Sequence, residues 1–328
     1  MKLQSVYPSH NAPVVNMIFN DKYTVAYDVM DGYNWIEGSR QENLDLFKHI
    51  AKPDFYFRRS IDKEVRKSLP DGCKMFPLGL NYDIKPIGWP KKTIKKTAKD
   101  ILKNNRFLSS YFFWNIDNFS THDFEFYPII PAKMNILFLT RLWNPGDFPV
   151  GEVRQSVEEI NSLRANYLIA CKKEFGSLFL GGLHPDRYSK KLCKELVVSA
   201  GMTKKLNYLN VVKESMVCIA TTGLHNSIGW KLGEYVAASR AIVSEPLHYE
   251  VPGDFKDTHH YLSFENTNEL IEKIYFLIDN KEIILEMMLK NFLYYHRYLR
   301  PDMMVLNTLM TIEKETGVLD HHLHELNS

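Results

Sequence analysis

Short apolar runs recur along this chain, each closed by a polar loop and followed by a stretch with apolar residues three or four positions apart. Residues 14 to 19 and 23 to 27 read as strands separated by Asn20-Asp21, and 41 to 51 as a helix with Leu44, Phe47 and Ile50 on one side. Strand, helix and strand follow at 55 to 57, 62 to 67 and 73 to 77. A second series opens with the apolar run 134 to 139, continues through a long amphipathic helix over 152 to 173, and predicts a strand over 176 to 180. Gly181-Gly182-Leu183-His184-Pro185 reads as a loop and 189 to 200 as a helix. The run 216 to 220 then gives way to a polar loop, a helix over 229 to 238 and a buried strand over 241 to 243. Helices over 268 to 278 and 281 to 297 close the pattern. This alternation is that of an α/β protein built on parallel sheets.

The series divides the chain into four parts: an α/β unit over 1–84, a connector or insertion over 85–132, a larger α/β unit over 133–280 and a helical tail over 281–328. The connector is distinctive. Between Lys85 and Arg106 stand eight lysines or arginines and one acidic residue, Asp100, with Ile94, Ala98 and Ile101 along one side of a predicted helix. It reads as a solvent-facing basic connector, with peripheral contact to an anionic membrane through residues 91–106 as the functional alternative. Aromatic side chains crowd residues 107 to 130, where a core or interface role outweighs a sugar platform.

Composition narrows the classes. The 328 residues are 45% hydrophobic and 24% charged, with a formal net charge of +2, as in a soluble globular protein without the global basicity of a nucleic-acid binder. Cys73, Cys171, Cys193 and Cys218 lie far apart and form neither zinc nor redox spacing. Without a secretory leader pattern or a long apolar span, the expectation is a reduced, cytoplasmic protein.

Candidate chemistry concentrates in 215 to 250. A loop holding Thr221, Thr222, Gly223, His225, Asn226 and Ser227 stands between a strand and a helix, at the end of the sheet where ligands bind. The opening of that helix, at Ile228 and Gly229, offers backbone N–H groups to an anion. Glu234 is the helix's one carboxylate, suited to accepting from sugar hydroxyls. In the first unit, Asp28 and Asp31 of the segment DVMDGY are candidates for a general base, for a divalent-ion pair or for loop caps. Arg58 and Arg59 suit a phosphorylated acceptor or plain solvation. His122-Asp123 reads more simply as loop residues, Glu245 suits donor or acceptor contact and loop shaping beside Pro246 equally, and His321, His322 and His324 read as adventitious metal binders near a chain end.

The order Glu234-Tyr235-Val236-Ala237-Ala238-Ser239, followed by Ala241-Ile242-Val243, resembles the donor-binding core of GT-B glycosyltransferases. The segment 77 to 83, PLGLNYD, is similar to that family's crossing between domains, and Thr140-Arg141-Leu142-Trp143 to its donor-domain opening loop. The resemblance implies two Rossmann-like domains facing across a cleft and transfer of a sugar from a nucleotide-diphosphate donor to an acceptor hydroxyl of a glycan, glycolipid or other molecule. It implies that Glu234 holds the donor ribose, that Arg141 and the amides at Ser227, Ile228 and Gly229 face the diphosphate, and that His225 and Asn226 lie near the sugar. Asn226 stands where the retaining branch carries a glutamate, so inversion and retention both stay open. No tightly bound cofactor and no metal site are expected. The alternatives are another nucleotide-sugar-utilising α/β enzyme, although residues 1 to 40 lack a glycine-rich dinucleotide fingerprint, or a noncatalytic binding scaffold.

Overall fold

A computed structural model describes residues 14–36, 38–50, 53–82, 84 and 119–317. The basic segment, the proposed membrane contact at 91–106, the aromatics before Phe119 and the terminal histidines lie outside the described residues.

Two sheets organise the chain. The first has the order β1-β2-β3-β4, formed by Val14–Phe19, Tyr23–Asp28, Phe55–Arg58 and Lys74–Pro77. β1 runs antiparallel to β2 through the Asn20-Asp21 turn, where both residues adopt positive φ, and β2, β3 and β4 are parallel. Helices α1 (Arg40–Ile50) and α2 (Lys63–Lys67) make the crossovers. Strand alternation sends Ala26, Tyr56 and Met75 toward α1 and α2, where Leu44, Phe47 and Val65 are buried. The opposite face presents Val25, Phe55 and Phe57.

Beyond the one-turn helix α3 (Thr121–Phe124) lies the second sheet, entirely parallel, with the order β6-β5-β7-β8-β9. Its strands are β5 (Ile136–Thr140), β6 (Phe179–Leu183), β7 (Val217–Ala220), β8 (Ala241–Ser244) and β9 (Leu262–Ser263). Both faces are buried, which is why these strands are continuously apolar. Ile136, Phe138, Val217 and Ile219 meet α4 (Glu152–Phe175), α8 (Thr267–Asp279) and α9 (Lys281–Tyr294). Leu137, Leu139, Cys218 and Ile242 meet α6 (Lys205–Glu214) and α7 (Trp230–Ala237).

Three sequence expectations shift. The strand expected at 176 to 180 begins only at Phe179, after a 3-10 turn over Gly176–Leu178, and Gly181-Gly182 lie inside it rather than in a loop. They are glycines because backbone comes close: a Cβ on Gly181 would stand 2.7 Å from the Phe138 carbonyl oxygen, and one on Gly182 2.5 Å from that of Leu196. The helix expected over 189 to 200 is instead α5 (Arg187–Leu192), which breaks at Cys193.

The chain end returns to the first sheet. After a π-helical turn over Tyr295–Leu299, helix α10 (Pro301–Thr316) lays Ile312 and Met304 on the face formed by Val25, Phe55 and Phe57. Tyr27 Oη and Thr308 Oγ1 share a hydrogen bond of 2.8 Å, and Lys74 pairs with Glu315 at 2.7 Å. Near the sheet exits, Arg66 grips both oxygens of Glu250 at 2.6 and 2.5 Å, and the Glu250 amide donates to the Ile61 carbonyl at 2.9 Å. The segment leaving β4 passes so near α7 that a Cβ on Gly233 would stand 3.1 Å from the Asn81 carbonyl oxygen.

Candidate functional site

In the second sheet the chain leaves β5 for β6 on one side and afterwards places β7 on the other. β5 and β7 therefore form a topological switch point, where crossovers diverge and leave a crevice beyond the strand ends. Arg141 follows β5, His184 follows β6 and Thr221 follows β7, so three exits converge there.

Arg164, in the middle of α4 and only 7% exposed, fastens two of these exits together. It donates to the Arg141 carbonyl at 2.8 Å, the Thr222 carbonyl at 3.1 Å and Thr221 Oγ1 at 3.3 Å, while its guanidinium lies 4.3 Å from the Trp143 ring centre. Glu245 completes the frame from β8 by accepting from the Thr222 amide at 2.7 Å and hydroxyl at 2.8 Å. These bonds shape the loop, one of the two readings that the sequence left equal for Glu245.

The loop after β7 is tightly wound. His225 and Asn226 both hold positive φ, 58° and 55°, a conformation unusual for side-chain-bearing residues and frequent at functional loops. The Gly223 amide donates to the Ser227 carbonyl at 2.9 Å and the Ser227 amide to the Leu224 carbonyl at 3.1 Å. That is a correction to the cradle: the Ser227 N–H closes the turn and does not face a ligand. Ser227 and Ile228 are buried, Gly229 is the helix N-cap and Asn226 is exposed. No side chain caps α7; the Leu232 amide turns back to the Gly229 carbonyl at 3.0 Å, and the donors ahead of it are those the helix start can offer an anion.

Lys231, the second residue of α7, was not singled out by sequence and is central to the electrostatics. Burial, and then the charges of Arg164, Lys205 and Arg141, push its ammonium down to about 7 against the counteracting Glu234. His184 is also depressed, by burial and then by Arg141, with Lys231 contributing and Asp186 opposing. Arg141 itself is lowered by burial, with Asp186 opposing. Arg141, His184 and Lys231 thus gather at the uncapped start of α7, with Asp186 and Glu234 as the opposing carboxylates.

Glu234 is 3% exposed and lies on the inner face of α7. Its Oε1 accepts from Lys205 Nζ at 2.5 Å. Lys205 was likewise invisible to sequence reasoning, because it comes from the start of a different helix.

The first sheet contributes the facing wall. A Cβ on Gly32 would fall 2.4 Å from that of His225, so the loop after β2 lies directly on His225, and Tyr249 Oη holds the His225 carbonyl at 2.6 Å. Asp31 is half exposed and pairs with Arg59 at 2.7 Å, and Arg59 also donates to the Ile228 carbonyl. Burial lowers the His225 imidazole, with Asp31 opposing.

Asp28 does not join this wall. It is fully buried and accepts from Arg58 Nη1, from Tyr56 Oη at 2.8 Å, from Trp35 Nε1 at 3.1 Å and from the Met30 amide at 2.9 Å. With its oxygens so engaged it serves neither as a base nor as one of a metal-binding pair with Asp31. Arg58 and Arg59, 0% and 4% exposed, are interior residues, which corrects both their solvated and their acceptor-binding readings. Asp123 accepts from the Ser120 amide and hydroxyl, and exposed His122 turns to Glu125, so they form no acid–base pair. Among the described residues no cluster of three or more His, Cys, Asp or Glu could hold a metal ion, and no helix is long and apolar enough to cross a membrane. A separate cavity of about 910 Å³, walled by Phe57, Phe76, Leu78 and Met304, lies on the outer face of the first sheet, away from this crevice.

Fold and site together define a two-sheet α/β protein with a cation-lined crevice at the switch point of its larger sheet. No family model and no curated protein matches the chain. Among solved structures it is similar to sucrose-phosphate synthase from Thermosynechococcus elongatus, at 10% identity over 89% of this chain and 68% of that one, with a TM-score of 0.47. It is similar also to Anabaena HepE in complex with UDP, at 9% identity over 88% and 72%, with a TM-score of 0.46. The C-terminal domain of a glycosyl transferase group 1 family protein from Francisella tularensis matches at 12% identity over 55% of this chain and 98% of that domain, with a TM-score of 0.37.

Proposed function

We propose that this protein is a glycosyltransferase that moves a sugar from a nucleotide-diphosphate donor to an acceptor hydroxyl. The observation that carries the reading is the gathering of Arg141 and Lys231 at the uncapped start of α7, with Glu234 one helical turn further on. That arrangement supplies two cations and free amides for a diphosphate and a carboxylate for a ribose, in the spacing of one nucleotide. As the glycosidic bond breaks, the leaving diphosphate gains charge, and donors already aimed at it favour the transition state over the bound donor. The acceptor enters between this cradle and the first sheet, where Asp31 and a neutral His225 imidazole are the groups able to take its proton.

The deciding experiment incubates the full-length protein with a panel of nucleotide sugars and glycan or glycolipid acceptors and follows nucleotide release and product linkage. Transfer, or slow donor hydrolysis, supports the reading. Tight nucleotide binding without turnover across the panel replaces it with a binding scaffold. Glu234→Ala is expected to weaken donor binding about tenfold or more, as loss of a buried charged acceptor requires. Unchanged affinity removes Glu234 from the donor site.

Binding should also depend on pH. With its ammonium near 7, Lys231 is mostly neutral at pH 8, and a diphosphate raises its pKa, so binding takes up a proton. An intact nucleotide sugar, whose diphosphate does not titrate in this range, is therefore expected to bind about tenfold more tightly at pH 6 than at pH 8. Lys231→Met should flatten the profile. If His184 or His225 were the source, the slope would survive in that variant.

A further inference from the structure

We propose that Lys205 is a specificity residue of the nucleotide site, reading the ribose cis-diol together with Glu234; this rests on the donor reading above. Lys205 is the first residue of α6, where the helix dipole disfavours a cation, and no side chain caps that helix start. Its placement there has a purpose in the Nζ–Oε1 contact of 2.5 Å to Glu234, a carboxylate from a different helix. The pair is unequal in depth: the Glu234 side chain is 4% exposed and that of Lys205 25%, so the ammonium stands on the open side.

A lone carboxylate only accepts, and any hydroxyl or amine proton satisfies it. An ammonium beside it adds donors, having three of its own. Acceptor and donor held side by side match a vicinal diol, in which one hydroxyl donates to Glu234 and its neighbour accepts from Lys205. The position of Lys231 supports the same placement. Lys205 Nζ lies 5.5 Å and Lys231 Nζ 5.9 Å from the centre of the one Tyr208 ring, so the diol pair and the diphosphate cations share an aromatic platform. Phe124, 5.0 Å from Lys205 Nζ, walls the other side. In so sheltered a site, a ligand lacking one hydroxyl leaves a charged group without its partner, which is the strongest form of discrimination available to a hydrogen-bonding site.

The test is calorimetric titration of the full-length protein with UDP, GDP and ADP, each against its 2′-deoxy form, and with inorganic pyrophosphate. For whichever nucleotide binds, the ribo form is expected to bind about ten- to a hundredfold more tightly than the deoxy form. Lys205→Met should collapse that ratio toward one while changing pyrophosphate affinity far less, and Lys205→Arg, which keeps a charged donor, should restore most of it. The ratio is taken within a single variant, so partial destabilisation does not move it. Should Lys205→Met fail to fold, Lys205→Ala takes its place in the same comparison. An unchanged ratio in Lys205→Met makes the lysine a mere countercharge and overturns the proposal, as does a wild-type ratio near one. If pyrophosphate binds and no nucleotide does, the donor reading fails first and takes this proposal with it.

Discussion

Arg141→Ala is expected to slow glycosyl transfer by about a hundred- to a thousandfold while raising the donor dissociation constant far less, the pattern left by removing a donor aimed at developing charge. The loop that carries Arg141 is anchored through its backbone. Arg164 holds the Arg141 carbonyl at 2.8 Å, and Asn161 holds the next turn by accepting from the Trp143 amide at 2.9 Å and donating to the Trp143 carbonyl at 2.6 Å. Truncating Arg141 removes its charge and keeps these backbone anchors. Single-turnover rates, equilibrium donor binding and a thermal melt on the same preparations separate the effects. A rate loss matched by an equal rise in the dissociation constant would make Arg141 a ground-state binder and leave leaving-group stabilisation to Lys231 and the α7 amides.

The architecture was legible where local and global preferences agree. The Asn20-Asp21 turn tolerates positive φ, so the first hairpin announced itself, and the doubly buried strands β5, β7 and β8 are unbroken apolar runs. Reading failed at Gly181 and Gly182, where the need for close backbone approach inside β6 carries the same sequence signal as a loop. Neither did the linear pattern separate Asp28 from Asp31. They share one segment, yet strand register buries the first opposite Arg58 and leaves the second half exposed beyond the strand end.

For the site, the loop and helix after β7 were marked locally, as a strand exit and a helix start, whereas Arg141 came from the family resemblance. The sequence did not reveal the other residues that give the crevice its charge. Arg164 sits at mid-helix, where an arginine ordinarily meets solvent, and only the crossing of α4 over two strand exits turns it inward. Lys205 and Glu234 are 29 positions apart on separate helices. Their pairing is a property of the sheet face that both helices cover and has no local signature. Lys231 was passed over because a lysine in a first turn looks solvated, and its depressed pKa arises from burial first and then from cations supplied by three other elements.

Asp28→Ala is expected to cost about 3–5 kcal/mol of stability, the range for breaking a buried ion pair from one side, because Arg58 would keep its charge in the core without a carboxylate. Arg58 has other partners, the Ser60 carbonyl at 2.8 Å and the Gly32 carbonyl, and its guanidinium lies 4.2 Å from the Trp35 ring centre, but none of these neutralises it. The same substitution frees the Met30 amide and Trp35 Nε1, and with them the loop that presents Asp31 and Gly32 to His225. Asp31→Ala is the matched control. Its pair with Arg59 is half exposed on the aspartate side, so screening and solvation limit the loss to about 1 kcal/mol. Urea unfolding of the two variants, followed by far-UV circular dichroism, checks the contrast. Equal midpoints would mean that the loop is held by the aromatic stack of Tyr33, Trp35 and Phe47, whose ring centres lie 5.8 and 4.9 Å apart, rather than by the buried carboxylate.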